Sequence, residues 1–172
     1  MGEGNIENYN VSIVPVKKEH ACFINEIANN EELMKIFHDN HTNIADWKEA
    51  IRIWLADKDE IDFIIVTKND KTPIGWVGIN GLESKDKNVW IKMIAILPSY
   101  WSKNYGSNTI KIIKNELKKR GYKRISLWTD EDNVRAQLCY KANNFKIIDK
   151  KKDTVGNKEI IKERLLMECC LL

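Results

Sequence analysis

The hydrophobic period of this chain changes at Pro98, and that change constrains the fold more than any other feature of the sequence. The preceding segment contains three strand-like runs separated by short polar turns, at residues 61–68, 73–80 and 88–96. Beyond Pro98, small or apolar residues recur at helical spacing at Gly106, Ile110, Ile113 and Leu117. A strand therefore leads directly into an amphipathic helix that ends before Gly121.

Shorter patterns extend this arrangement in both directions. Toward the N-terminus, the pattern predicts a strand at 11–16, one helix at 17–30 and a second helix capped by Asp46. Toward the C-terminus, it predicts strands at 124–129, 145–150 and 159–167 and a helix at 133–142. The resulting order, β-α-α-β-β-β-α-β-α-β-β, predicts an α/β fold of the α+β type, in which helices cover a mixed sheet.

These patterns indicate one domain over residues 11–172, preceded by a flexible N-terminus at residues 1–10. The 172 residues are 43% hydrophobic and 31% charged, values typical of a globular chain. The net charge of +3 does not indicate nucleic acid as a partner, and no apolar run is long enough to span a membrane. The polar N-terminus does not resemble a secretory signal, so we expect a cytoplasmic protein whose four cysteines are reduced.

The segment between the strand at 88–96 and the long helix is a candidate phosphate site. A helix N-terminus presents free backbone N–H groups and a partial positive charge, which together favour an anion. Asn104 and Gly106 tolerate a positive φ that would turn loop amides toward one point, and Lys103 adds a positive charge. An ordinary strand-to-helix turn is the alternative interpretation of these residues.

A second segment, residues 133–145, carries an amide and a phenol on one helical stripe. Asn133, Ala136 and Tyr140 span nearly two turns, about 10 Å along the helix. These side chains are suited to bracketing an extended, thiol-bearing cofactor arm. The alternative is that Asn133 only caps the helix and Tyr140 only fills the core.

Taken together, the two segments resemble the GNAT N-acetyltransferase superfamily. That family has Gln/Arg-x-x-Gly-x-Gly/Ala after a strand and, later, Asn-x-x-Ala-x-x-x-Tyr-x-x-x-Gly-Phe. Here the first motif reads Trp-Ser-Lys-Asn-Tyr-Gly, and the second is matched at Asn133, Ala136, Tyr140 and Phe145, with Asn144 in place of Gly. The pattern looks most like the branch of ribosomal-protein N-terminal acetyltransferases, with some likeness to aminoglycoside 6'-N-acetyltransferases.

The resemblance implies a splayed central sheet and acetyl-CoA as cosubstrate, whose acetyl group passes directly to a primary amine in a ternary complex. By position, it implies that the backbone around Ile94, Ala95 and Ile96 holds the pantetheine arm and the thioester carbonyl. It implies further cofactor contacts from Asn133 and from the loop residues Trp101, Ser102, Lys103, Asn104, Tyr105, Gly106 and Ser107. It also implies that Tyr140 acts as the general acid that protonates the leaving thiolate.

Three departures from the family pattern affect these expectations. Trp101 lacks the usual guanidinium or amide, and Asn104 adds a side chain where Gly is normal, so both are expected to weaken cofactor affinity. One branch of the family has a Glu five residues before the signature Asn, but this chain has Trp128 there. The base must come from elsewhere or from solvent, and the candidate carboxylates are Glu83, Asp130, Glu131 and Asp132. A solvated surface role is the alternative for each of them.

The polar segment at 38–41 contains two histidines without a third well-spaced ligand, so we expect no metal site there. By its position in the family, this segment is expected to border the acceptor pocket. The acceptor is a small amine, such as an aminoglycoside, or a protein N-terminus, and the basic hairpin at 150–158 argues against a polycation.

A different class of function also fits the sequence, namely a CoA-binding regulatory or interaction module that has lost catalysis. Trp101, Asn104 and the missing Glu favour this alternative, whereas Tyr140 argues against it. The apolar C-terminal tail either completes an edge strand or forms an interface, so the expected state is a monomer or a homodimer.

Overall fold

The computed structural model describes residues 9–171. Most of the predicted flexible N-terminus therefore lies outside the described residues, as does Leu172. Seven strands form one sheet in the order β1-β2-β3-β4-β5-β7-β6. They are β1 (Val11–Pro15), β2 (Glu60–Thr67), β3 (Pro73–Asn80), β4 (Asn88–Ile96), β5 (Arg124–Asp130), β6 (Lys146–Val155) and β7 (Ile160–Cys170).

Five α-helices and two 3-10 turns accompany the sheet. The helices are α1 (Ala21–Ala28), α2 (Glu31–Phe37), α3 (Ile44–Ala56), α4 (Tyr105–Lys119) and α5 (Val134–Ala142), and the 3-10 turns are Lys18–His20 and Pro98–Tyr100. Neighbouring strands are antiparallel except β4 and β5, which are parallel. The predicted fold class, a mixed sheet with helices, is confirmed. None of the helices within residues 9–171 has the length and apolar content that crossing a membrane requires.

The N-terminal helices differ from the prediction. The single helix predicted at 17–30 is a 3-10 turn followed by α1, and the prediction missed α2. The Asn30 side chain accepts hydrogen bonds from the backbone N–H groups of Glu32 and Leu33. Asn30 is therefore the N-cap of α2 and not the last residue of α1. The predicted cap of the next helix was wrong by three residues. Asn43 caps α3, and Asp46, the third residue of the helix, completes the capping box.

Strand residues alternate between two apolar layers on opposite faces of the sheet. Ile65 and Val77 pack in the layer that contains α4, whereas Ile64 and Trp76 pack in the layer that contains α1, α2 and α3. The apolar stripe predicted for α4 is buried as expected, at Ile110, Ile113 and Leu117. Both faces are thereby covered around the centre of the sheet.

The centre of the sheet is split. The parallel strands β4 and β5 pair only between residues 88–90 and 124–126, and they separate beyond Trp90 and Ser126. Lys92 is the extra residue of a bulge in β4, because Gly78 pairs with Met93 while Ile79 pairs with Ile91. The C-terminal half of β4 therefore has a strand partner on the β3 side and a cleft on the β5 side.

A buried carboxylate lies beneath the bulge. Asp62 accepts a hydrogen bond from Trp76 Nε1 at 2.8 Å, and its other oxygen lies 3.3 Å from Lys92 Nζ. Lys92 also pairs with Glu60 and lies 4.4 Å from the ring centre of Trp54. Burial is the main reason that the pKa of Asp62 is raised to about 7, although the Lys92 ammonium opposes the shift.

Candidate functional site

A cleft of about 680 Å³ occupies the gap between β4 and β5. The C-terminal half of β4 lines one wall, and the end of β5 with α5 lines the other. The N-terminus of α4 closes one end, while the end of α2 and the β6–β7 hairpin border the opposite end. The two segments that the sequence singled out, 101–107 and 133–145, therefore meet in one cavity.

The backbone of β4 offers polar groups to this cleft. The Leu97 N–H donates to Ile74 C=O, and hydrogen bonding alternates along an antiparallel pair, so the peptide groups of Ile94 and Ile96 point away from β3. They face the gap where β5 has diverged. Ala95 also lines the cleft, but it is paired with Trp76 of β3, so its backbone groups face β3 instead of the gap. The Ile96 carbonyl accepts a hydrogen bond from Trp101 Nε1 at 2.7 Å.

The N-terminus of α4 is open toward the same cavity. Asn104 precedes the helix in the left-handed conformation, with φ of 62°, and its side chain makes no capping hydrogen bond. Ser102 is also left-handed, with φ of 59°. The first amides of α4, at Tyr105, Gly106 and Ser107, have no carbonyl in the preceding helical turn to bind. These three residues line the cleft together with Ser102 and Asn104.

Lys103 does not line this cleft. Its ammonium donates to Ser99 C=O at 2.9 Å and lies 5.6 Å from the ring centre of Tyr100. The left-handed residues on either side of Lys103 account for its separate direction, because they reverse the chain around it. A different cation is present in the cavity wall. Arg135, which the sequence analysis did not single out, lies over the ring of Trp101.

Asn133 and Tyr140 both line the cleft from α5. The Asn133 side chain accepts a hydrogen bond from the Ala136 N–H at 3.2 Å, so it caps the helix while bordering the cavity. Tyr140 is 7% exposed and packs against Phe145. Burial raises the pKa of the Tyr140 phenol, so the hydroxyl carries its proton at neutral pH and is a weaker acid than a solvated phenol. Asn144 adopts φ of 68°, a conformation in which Gly is usual.

Of the four candidate carboxylates, only Asp130 lines the cleft. Glu83, Glu131 and Asp132 are exposed, and the last two pair with Lys150 and Lys162. Asp130 is buried at the end of β5, where one carboxylate oxygen lies 3.0 Å from His38 Nε2 and the other 3.1 Å from Arg164 Nε.

His38 lies at the end of α2 and lines the cleft together with Asp39, so the first two residues of the polar segment at 38–41 border it. Arg164 was not found by sequence reasoning, since an arginine within a strand gives no local signal of a site. Its β7 position brings it beside Asp130 because β5 and β7 pair in register at these two residues. Within residues 9–171, no group of three or more His, Cys, Asp or Glu side chains is arranged to hold a metal ion.

Known proteins resemble this chain in sequence and in fold. A family model described as the acetyltransferase (GNAT) family matches residues 26–145. An uncharacterized protein of Methanocaldococcus jannaschii is 24% identical over 102 residues, which are 58% of this chain and 21% of that protein. The chain thus spans about a fifth of the length of this curated relative.

Solved structures show the same fold. A spermidine N-acetyltransferase from Vibrio cholerae, in complex with CoA and spermine, has a TM-score of 0.84 at 16% identity and covers 95% of this chain and 97% of its own. A dodecameric structure of spermidine N-acetyltransferase from the same organism has a TM-score of 0.79 at 16% identity, with 95% of both chains covered. Because the identities are this low, these structures establish only that the fold is alike. The substrate has to be argued from the cleft itself.

Proposed function

The chain belongs to the acetyltransferase (GNAT) family, and from that premise we propose that it transfers an acetyl group from acetyl-CoA to a primary amine in the cleft between β4 and β5. One observation carries this proposal. The unpaired edge of β4 and the uncapped N-terminus of α4 open into the same cavity. An extended ligand with amide groups along its length and a pyrophosphate at one end matches that combination of polar groups.

The pyrophosphate is assigned to the N-terminus of α4. Its free amides at residues 105–107 and the positive end of the helix dipole suit a phosphate, and the 15-residue helix is long enough to present both. The left-handed residues Ser102 and Asn104 aim the loop at the cavity. The backbone groups of Ile94 are then available to the pantetheine amides, whereas the Ile96 carbonyl is bound to Trp101 until that indole moves.

The chemistry supplied by acetyl-CoA is an activated thioester. This chain's part is to polarise the thioester carbonyl with a backbone N–H of β4, to hold the amine beside it, and to supply a proton to sulfur. Tyr140 is the proton donor that fits, since its buried phenol stays protonated and its ring lines the cavity. Asn133 would contact the pantetheine from the other end of the same helical stripe.

For the acceptor we propose an amine with one positive charge, either a small molecule or a peptide N-terminus. The Vibrio cholerae enzyme was solved with spermine, which carries several positive charges. In this chain the cleft carboxylate Asp130 is already paired with Arg164 and His38, and the adjoining hairpin is rich in lysine. Asp39 is then the one carboxylate lining this end of the cleft without an ion pair among the described residues, which suits one positive charge better than a polycation.

A CoA-binding module without catalysis is the second candidate. The observation that favours it is the hydrogen bond from Trp101 to the Ile96 carbonyl, which occupies a backbone group that the cofactor would otherwise use. Thiol release from acetyl-CoA, measured across a mixed panel of amines and peptides, separates the two functions. Turnover with any acceptor excludes the module, and CoA binding without turnover across the panel excludes the enzyme.

A further inference from the structure

His38, Asp130 and Arg164 form a connected row at the acceptor end of the cleft. His38 Nε2 lies 3.0 Å from Asp130 Oδ2, and Arg164 Nε lies 3.1 Å from Asp130 Oδ1. A carboxylate accepts hydrogen bonds and does not donate them, so Nε2 of His38 carries the hydrogen. Nδ1 then holds the lone pair of the neutral ring, which is the group that can accept a proton.

The backbone fixes the position of His38. The residue ends α2 in the left-handed conformation, with φ of 58°, and its carbonyl accepts a hydrogen bond from the Lys158 N–H at 3.1 Å. The neighbouring residue Asp39 accepts a hydrogen bond from the Asn157 N–H at 2.8 Å. The turn between β6 and β7 thus holds the end of α2 against the cleft, and Asp130 orients the ring from the other side.

We propose that His38 is the general base that takes the proton from the acceptor amine, with Asp130 as the residue that positions its ring. This inference rests on the proposed acetyl transfer. It accounts for Trp128 at the position where one branch of the family has a Glu, because the base comes from α2 instead of β5. Arg164 has a further part, since its guanidinium forms an ion pair with the second oxygen of Asp130 and so holds that side chain in place.

The proton balance is complete without another reactant. His38 Nδ1 takes one proton from the ammonium form of the acceptor, and the neutral amine forms the C–N bond to the acetyl carbon as the C–S bond breaks. Tyr140 gives its proton to the departing sulfur, and the second proton lost by the amine nitrogen restores the phenol through solvent. His38 then releases its proton to solvent, so each turnover yields an amide, a thiol and one net proton.

Several charged groups act on the His38 ring. Asp130 and Asp132 approach it from the end of β5, and Asp39 neighbours it on its own segment. From β7, Arg164 binds Asp130 and Lys162 pairs with Asp132. Asp130 and Asp132 are thus each matched by a cation from β7, whereas Asp39 accepts a backbone hydrogen bond from Asn157. The hydrogen bond to Asp130 remains the specific interaction that orients the ring.

The test is the pH dependence of kcat/KM in the full chain, with the best acceptor from the amine panel. His38→Asn is the variant of choice because Asn tolerates the left-handed backbone at this position. We expect it to lower kcat/KM by on the order of 10²-fold near neutral pH, as loss of a general base typically does. The deficit should shrink as the pH approaches the pKa of the acceptor amine, because solvent then supplies the neutral amine.

His41→Asn is the matched control, since His41 is an exposed residue of the same segment and does not line the cleft. It should leave both the rate and the pH profile unchanged. Asp130→Asn should lower kcat/KM and move the acidic limb of the profile toward lower pH, since the imidazolium loses a carboxylate partner. A merely structural role predicts instead an equal loss at every pH.

The outcomes separate this inference from the proposed function. A wild-type protein that turns over no amine overturns the proposed acetyl transfer and, with it, the role of His38. A wild-type enzyme that is active while His38→Asn keeps normal kcat/KM, or loses it equally at all pH values, overturns only the role of His38.

Discussion

The guanidinium carbon of Arg135 lies 3.3 Å from the centre of the Trp101 ring. The two residues come from different elements, α5 and the loop before α4, and both line the cleft. Trp101 stands where the family has a Gln or an Arg. Because Arg135 stacks on Trp101, a guanidinium is nevertheless present in this wall of the cleft. The departure at Trp101 is therefore accompanied by a cation from α5.

Arg135→Ala is expected to weaken CoA binding by on the order of 10-fold, the equivalent of one favourable ionic contact of about 1.4 kcal/mol. Calorimetric titration with CoA measures the change. Lys141→Ala is the matched control, because it removes a cation from the same helix at an exposed position outside the cleft. Equal affinities in the two variants would show that Arg135 contributes only to the general positive charge of the surface.

Gly106→Leu is expected to abolish measurable CoA binding without unfolding the protein. A Cβ at Gly106 would lie 3.5 Å from Ile96 Cδ1 and 3.6 Å from Cys139 Sγ, which are ordinary contacts, so the larger side chain must extend into the cleft. Asn104→Gly is the companion variant. It keeps the left-handed conformation and should leave the affinity equal or better. Unchanged affinity in folded Gly106→Leu would remove the phosphate site from this helix.

Tyr140→Phe is expected to lower kcat by on the order of 10²-fold, because it removes the hydroxyl that we propose protonates sulfur. The ring remains to pack against Phe145, so thermal stability should change little. The KM for acetyl-CoA should stay near its wild-type value, since the proton transfer develops in the transition state. Steady-state kinetics beside a thermal melt measures both effects, and full activity would leave Tyr140 as a packing residue.

Asp62 makes the stability of the protein depend on pH. Burial raises its pKa to about 7, above the unfolded value of about 3.9, so the native state binds more protons between these pH values. The stability that this proton contributes is complete below the unfolded pKa and is lost as the pH rises through about 7. Relative to Asp62→Asn, wild type should lose about 2–3 kcal/mol of unfolding free energy between about pH 5 and about pH 8.

Urea unfolding at the two pH values, in both proteins, measures this difference. Asn retains an oxygen for the hydrogen bond from Trp76, which makes Asp62→Asn a conservative reference. Parallel pH dependences in the two proteins would mean that Lys92 keeps the carboxylate ionised throughout the range.

Gly156→Ala is expected to disturb His38 through the turn between β6 and β7, which borders the cleft. Gly156 has φ of 66°, and a Cβ there would overlap the backbone carbonyl oxygens of Phe37 and His38. The end of α2 would have to move away from the β6–β7 turn, so kcat/KM should fall while CoA affinity at the far end of the cleft is retained. A variant that loses both equally would indicate a global change in the fold.

The strands β3 and β4 could be predicted to the residue because apolar content and polar turns define their limits locally. The strand β6 could not, and the prediction ended at residue 150 rather than Val155. Because β6 lies exposed at the edge of the sheet, its sequence need not alternate between apolar and polar residues, and its second half is mostly charged.

The site divides in the same way. The segments 101–107 and 133–145 carry local motifs, so their residues could be singled out from the sequence. The contact between His38 and Asp130 joins residues 92 positions apart, and neither side chain belongs to a motif that requires the other. The stacking of Arg135 on Trp101 was missed for the same reason, since it depends on how α5 packs beside the loop.

The separation of β4 from β5 also determines where the sheet can open in thermal fluctuations. Within the described sheet, strand pairing joins the four N-terminal strands to the three C-terminal ones at only three residue pairs, all between β4 and β5. A ligand whose amides bind β4 and whose opposite side packs on α5 would connect the two halves of the sheet across the gap, as an additional strand would. Its arrival should slow amide hydrogen exchange on both halves together, and the protein should be stiffest when it is loaded for transfer.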